Sequence, residues 1–441
     1  MRSRAARAIG AALLAVTVTL APLLGAAPTA VAATDTAQAN LDYWWSAYGI
    51  DAAHDAGLTG KGVKVAILEQ QINPDLPIFE GRSLRVSDKP VCAEDPPVAT
   101  TDANPSSRHG TTMTALIIGN GEGADGIRGI APDADVTFYG YGSGNCTPDI
   151  EEQISPFGYG VKLAVDGGAK IIFTSIGGTA QEGDGPAIAY AIARGAVVIS
   201  ASDNPDSTSD SVGFSPLTDQ GTINGVVSAA AIDRNADLQK TDAGDPYVIP
   251  QTTVVAGGVR FPSVGRDGDW TTSGTASGSS YASPTVAGML TLAAQKFPDA
   301  TGNQLVQALI STTNGQQHEP ARTEDGYGYG AAWLPTLLVS DPTALPDENP
   351  LMGESAGKTT GYPTSEQIEA AKAGGFVVAV ESPRPRSFNE DGDASAAGSD
   401  MSAVIGWVVG GVAVLLVIAV IVTLVIVITI RRRKAGEGTH S

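Results

Sequence analysis

The feature that most constrains this chain is an alternation. Compact apolar runs occur at residues 63–68, 135–139, 171–175, 196–201, 226–232 and 252–256, several of them bounded by glycine. Residues 109–119, 159–165 and 186–194 lie between them and read as helices, and 281–297 is a longer apolar helix. A run of four to eight apolar residues with no polar alternation suits a strand buried on both faces. Such strands, separated by helices and short glycine-rich turns, predict an α/β domain, a parallel β-sheet flanked by helices on both faces. Functional side chains in such a sheet gather at the carboxyl ends of its strands. The domain is expected over residues 41–340, with Trp44, Trp45 and Tyr48 near its start available for packing.

Neither end of the chain follows this pattern. Residues 1–32 carry Arg2, Arg4 and Arg7, an apolar stretch, and Ala30-Val31-Ala32. Those are the three parts of a secretory signal peptide. Residues 403–430 contain no charged residue and are followed at once by Arg431, Arg432, Arg433 and Lys434. That length crosses about 30 Å of hydrocarbon, and flanking basic residues stay on the cytoplasmic side. One C-terminal transmembrane helix is therefore expected, with a cytoplasmic basic tail at 431–441 and an extracellular domain on the cell membrane. Residues 341–400 are rich in glycine, proline, serine and acidic residues, and read as a stalk with a short element near 366–380.

The formal net charge is −20, and both ends are basic, so the external portion is more acidic still. This excludes nucleic acid as a partner. Structural calcium would suit such a surface, but the sequence holds no EF-type loop that supports it. Cys92 and Cys146 both fall in the external portion. An oxidising compartment favours a disulfide between them, which would enclose the segment carrying His109.

Two short segments concentrate reactive side chains. His109 sits in Ser107-Arg108-His109-Gly110-Thr111-Thr112, just ahead of an expected helix. Ser280 sits in Gly278-Ser279-Ser280-Tyr281-Ala282-Ser283-Pro284, at the start of the long apolar helix. Free backbone N–H groups and the helix dipole at such a start favour an oxyanion. Taken singly, each segment also has a plain structural reading, as a core histidine or a helix cap.

Together the two segments resemble the subtilisin-like peptidases, which carry His-Gly-Thr and Gly-Thr-Ser-x-Ala-x-Pro segments in this order. The resemblance covers residues 55–335, with Ser279 where the family has threonine. It implies Ser280 as nucleophile and His109 as its base. Residues 201–204, Ala-Ser-Asp-Asn, resemble the family's Ala-Ala-Gly-Asn turn, which puts Asn204 in the oxyanion hole and leaves Asp203 in place of glycine. Ser175, Ile176 and Gly177 resemble the strand that pairs with substrate backbone. By register Glu69 takes the position of the family's aspartate, with Asp75 as runner-up. Glutamate is one methylene longer, but some hydrolases use it to orient the histidine.

These assignments imply a serine endopeptidase acting on peptides or proteins through an acyl-enzyme, with no metal or other cofactor required. The Glu69-Gln70-Gln71 and Asp203 departures motivate an alternative, a catalytically impaired subtilase-fold module that binds or scaffolds. The order signal, subtilase domain and single C-terminal span is similar to that of the mycosins. By that likeness a secretion-machinery partner is expected.

Overall fold

The computed structural model describes residues 36–89, 91–92, 97–123, 126–140, 154–205 and 219–377. The expected signal peptide, Cys146, the expected membrane span and the basic tail lie outside the described residues. No helix among those described is long and apolar enough to cross a membrane.

The described chain opens with helices α1 (Ala37–Ala47) and α2 (Ile50–Asp55). Strands β1 (Lys64–Glu69) and β2 (Leu84–Val86), helix α3 (Pro105–Ile118) and strand β3 (Asp135–Gly140) follow. Next come α4 (Pro156–Asp166), β4 (Ile171–Thr174), α5 (Gly185–Ala193), β5 (Val197–Ala201), β6 (Val226–Ile232) and β7 (Val254–Gly257). A hairpin of β8 (Phe261–Ser263) and β9 (Gly274–Ala276) precedes helices α6 (Ser279–Lys296), α7 (Gly302–Ser311), α8 (Leu334–Val339) and α9 (Ser365–Gly374). Among the described residues, seven strands form one sheet in the order β2-β3-β1-β4-β5-β6-β7, with every pairing parallel.

The period of two in a strand sends successive residues of these largely apolar runs to opposite faces. Val65 and Ile67 of β1 point into a core shared with Met113 and Ile117 of α3 and Val286 and Leu290 of α6. Ala66 and Leu68 point the other way, into a core shared with Val161 of α4 and Ile188 of α5. Each fully buried aliphatic side chain contributes about 1.5–3 kcal/mol, so both faces resist polar substitution. The predicted doubly covered parallel sheet is what forms.

Three sequence expectations change. The helix carrying His109 begins at Pro105, four residues before the histidine. Asn104 is its N-cap, in a reciprocal capping box with Ser107, and a proline at the first helical position costs no hydrogen bond. Strand β2, α7 and the hairpin were not anticipated. Residues 341–377 do not start a stalk. Leu351, Ala356, Lys358, Ile368 and Ala371 are buried against the domain. Leu351 O accepts from Gly225 N, and Tyr362 O from Asn224 N, at 2.7 and 3.0 Å. Gly/Pro-rich composition had signalled irregular backbone, and that backbone finds its partners on the domain. The short element expected near 366–380 is represented by α9.

A candidate active site at the carboxyl ends of the strands

Glu69 is the last residue of β1, and its side chain is fully buried. One carboxylate oxygen, Oε2, lies 3.0 Å from His109 Nδ1. The other, Oε1, accepts from the Ser175 N–H at 3.0 Å and from the Ser175 hydroxyl. Both oxygens are thus held, and the carboxylate is aimed at the ring. The extra methylene of glutamate is accommodated because Ser175, the first residue after β4, receives the oxygen that faces away from the histidine. Asp75, the runner-up acid, sits in an exposed turn, where Asn73 Oδ1 accepts from its backbone N–H; it plays no part here.

The acid and the histidine helix are locked together by their neighbours. Gln71 Oε1 accepts from Asn104 Nδ2 at 2.9 Å, so the helix cap is tied to the end of β1. Thr111 Oγ1 accepts from Asn73 N at 3.0 Å. Gly110 passes so close to this segment that a Cβ there would lie 2.2 Å from the Gln71 carbonyl oxygen. Gly110→Ala must therefore push α3 off the end of β1. We expect it to cost about 1–3 kcal/mol, as overpacking generally does, seen as a lowered midpoint in thermal unfolding.

The His109 side chain is about one third exposed. Burial, the largest influence, favours its neutral form, but the Glu69 charge and hydrogen bond together outweigh it and hold the imidazole above its usual 6.5. The other described histidines do different work. His54 Nε2 meets the Ile130 carbonyl at 2.9 Å, and His318 bridges Thr313 Oγ1 and the Glu319 carbonyl. Neither faces a carboxylate.

Ser280 is the second residue of α6. Its hydroxyl donates to the Ser175 carbonyl at 3.1 Å, so Ser175 touches both the acid and the serine. The Asn204 side chain packs against the same helix start, where its Oδ1 accepts from Ser279 N at 2.8 Å. Ser279 Oγ also donates to the Ser202 carbonyl, which joins the turn after β5 to α6. The Asp203 departure has a local reason. Its Oδ1 accepts from Asn204 N and its Oδ2 from the Tyr247 hydroxyl, both at 2.8 Å. Burial and the Asp203 contact push the Tyr247 phenol well above its ordinary range, so it stays a donor. A carboxylate thus pins the turn where a glycine would have left it free.

Thr174 and Ile176, on either side of the Ser175 that accepts from Ser280, line a pocket of about 140 Å³. Ile176, Gly177 and Gly178 form one wall, with Phe157, Thr179 and Gln220 among the others. Of the three residues expected to bind substrate, Ile176 and Gly177 line this pocket, whereas the Ser175 side chain turns inward to the acid. Cys92 is buried, and Cys146 lies outside the described residues. No group of three His, Cys, Asp or Glu side chains that could hold a metal ion occurs among the described residues.

A buried carboxylate on the δ-nitrogen of a histidine one third exposed, joined through Ser175 to a serine at a helix N-terminus, defines the serine-hydrolase class. Its setting is the carboxyl edge of a parallel sheet. The Subtilase family model matches residues 60–330, and the chain belongs to that family. It is 29% identical over 267 residues to Subtilisin BL of Lederbergia lenta, covering 59% of this chain and 87% of that protein. It is 25% identical over 304 residues to Mycosin-4 of Mycobacterium tuberculosis, covering 61% of this chain and 66% of that protein. The fold is shared with MycP1 from the ESX-1 type VII secretion system, at a TM-score of 0.52 and 21% identity, over 70% of this chain and 88% of that one.

Proposed function

We propose that this chain is a membrane-anchored extracellular serine endopeptidase that cuts peptide bonds through an acyl-enzyme. The observation that carries the reading is the Glu69 carboxylate held on His109 Nδ1 while Ser280 sits at the start of α6. Ser280 Oγ attacks the peptide carbonyl as His109 Nε2 takes its proton. Glu69 stabilises the imidazolium that results. The peptide carbonyl oxygen becomes an oxyanion, which takes hydrogen bonds from Asn204 and from a backbone N–H at the start of α6. His109 then gives its proton to the leaving amine. Water, activated by the same histidine, hydrolyses the ester.

Substrate backbone would pair along residues 175–177 by strand addition, with one side chain entering the pocket lined by Ile176 and Gly177. The lining side chains named above carry no charge, which suits an uncharged side chain of medium size. Asn204→Ala is expected to lower kcat about 10²–10³-fold with little change in KM, the usual cost of one oxyanion donor. Steady-state kinetics on a fluorogenic peptide checks this.

Secretion by residues 1–32, anchoring by 403–430 and a Cys92–Cys146 bridge complete the proposal. The likeness to Mycosin-4 and to MycP1 supports a partner in a type VII secretion machinery. The test is fractionation of cells making the full chain. Peptidase activity should remain in alkali-washed membranes and be destroyed by a protease added outside intact cells. Activity recovered from the cytosol would sink the anchored reading.

A second reading, an impaired binding module of the same fold, draws on the Ser280 hydroxyl donating to the Ser175 carbonyl. Catalytic hydrogen bonds often tighten only when substrate arrives, so this contact weighs less than the oriented Glu69–His109 pair.

A further inference from the structure

The pocket lined by Ile176, Gly177 and Gln220 is held from behind by a residue that lies beyond the subtilase-matched region. Gln220, in the turn of residues 219–222, lines it. Gln220 N donates to the Gly178 carbonyl at 3.1 Å, and a Cβ on Gly178 would lie 2.8 Å from the Gln220 side-chain amide. Asp219 forms an antiparallel bridge with Thr179, which also lines the pocket. Behind this turn runs the segment expected from sequence to be stalk. Thr359 N donates to the Thr222 carbonyl at 3.0 Å. Asn224 Oδ1 accepts from Gly353 N at 2.9 Å.

Between these two backbone contacts the Lys358 side chain enters the interior and is 1% exposed. Its Nζ donates to the Gly221 carbonyl at 2.6 Å and lies 3.3 Å from Thr253 Oγ1. The buried Asp219 carboxylate faces the same space. Burial pushes Asp219 up to about 6, against the pull of Gln251, Lys358 and the Gly221 N–H. Neither of its oxygens makes a hydrogen bond of good geometry. Burial pulls Lys358 down to about 7, against the attraction of Asp219 and with the help of Arg322. A buried ammonium is costly unless hydrogen-bonded and opposed by charge. Lys358 has both, and what it binds is the turn that carries Gln220.

We propose that Lys358 is a positioning residue that fixes the Gln220 wall of the substrate pocket, so that the segment after the subtilase-matched region sets which side chain the pocket accepts. This rests on the reading of that pocket as the one beside the scissile bond. Gly357 supports the assignment. It adopts a left-handed φ of +74°, and a Cβ there would lie 2.6 Å from the Arg322 guanidinium, so the turn delivering Lys358 requires glycine.

The test uses the full chain with Ser280→Ala, so that binding is read without turnover. Peptides identical except for Ala or Leu before the scissile bond are titrated by calorimetry. The parent is expected to prefer the Leu peptide. Lys358→Met should weaken the Leu peptide about tenfold and the Ala peptide less than twofold, which collapses the preference. Should Lys358→Met fail to fold, Lys358→Met with Asp219→Asn removes the buried charge left behind, and the same collapse is expected. Equal weakening of both peptides, or no change, would overturn the proposal. A parent that binds neither peptide overturns the pocket assignment. Fluorophosphonate labelling of the chain with Ser280 intact tests the peptidase reading by itself, since that probe places no side chain in the pocket.

Discussion

Ser280→Ala should lower kcat by about 10⁶-fold, the scale of losing a triad nucleophile. The reason is local. The serine is held by two elements that do not depend on its hydroxyl, the start of α6 and the turn of residues 202–204 joined to it through Ser279. The fold should therefore survive, and thermal unfolding of the variant should match wild type. Its hydroxyl makes one contact, to the Ser175 carbonyl, so about 1 kcal/mol of stability at most is at stake. Activity and stability must then separate cleanly. Comparable loss of both would mean that Ser280 is structural.

The second large effect concerns the acid. Glu69→Gln should lower kcat by about 10⁴-fold, the scale of losing a triad carboxylate. It should also move the pH profile in a stated direction. A general base works when neutral, so kcat/KM rises with pH through the histidine's pKa. In the wild type that limb should lie above 6.5, because Glu69 outweighs burial. With the Glu69 charge removed, burial is the largest remaining influence and favours the neutral ring. The limb should then fall below 6.5. Glutamine also offers the Ser175 N–H and hydroxyl an uncharged oxygen in place of the carboxylate Oε1 that accepts both. A pH–rate series on both proteins reads the shift. A limb that stays in place would show that Glu69 does not orient or charge-stabilise His109.

Much of the fold was legible for one physical reason. A strand covered on both faces by helices has little room for polar residues, so 171–174, 197–201 and 226–232 stand out as apolar runs with one small hydroxyl residue each. Strand β2 did not stand out, since it is three residues long, at the sheet edge and partly exposed. The start of α3 was legible but unread. Asn104-Pro105 is a cap followed by a proline at the first helical position, and Ser107 completes the capping box. Thr301 and Gln304 marked the start of α7 in the same way.

At the site, Glu69 was legible through the resemblance to the family's aspartate position, and the end of β1 does bring it against His109 of α3. The inward turn of Ser175 was not legible, since it depends on where the longer glutamate side chain puts its second oxygen. Lys358 gave no local signal. A lysine in a Gly- and Thr-rich stretch reads as solvated, and only the hydrogen bonds of 351–362 to residues 222–225 carry it inside.

In a working triad Ser280 is a nucleophile activated by His109 and Glu69. Labelling the full-length protein with a fluorophosphonate probe, and locating the adduct by mass spectrometry, tests it most directly. A single adduct is expected on the peptide containing Ser280, formed orders of magnitude more slowly in His109→Ala and Glu69→Ala. Well-folded wild-type protein that takes up no probe, or takes it up at another serine, would contradict it.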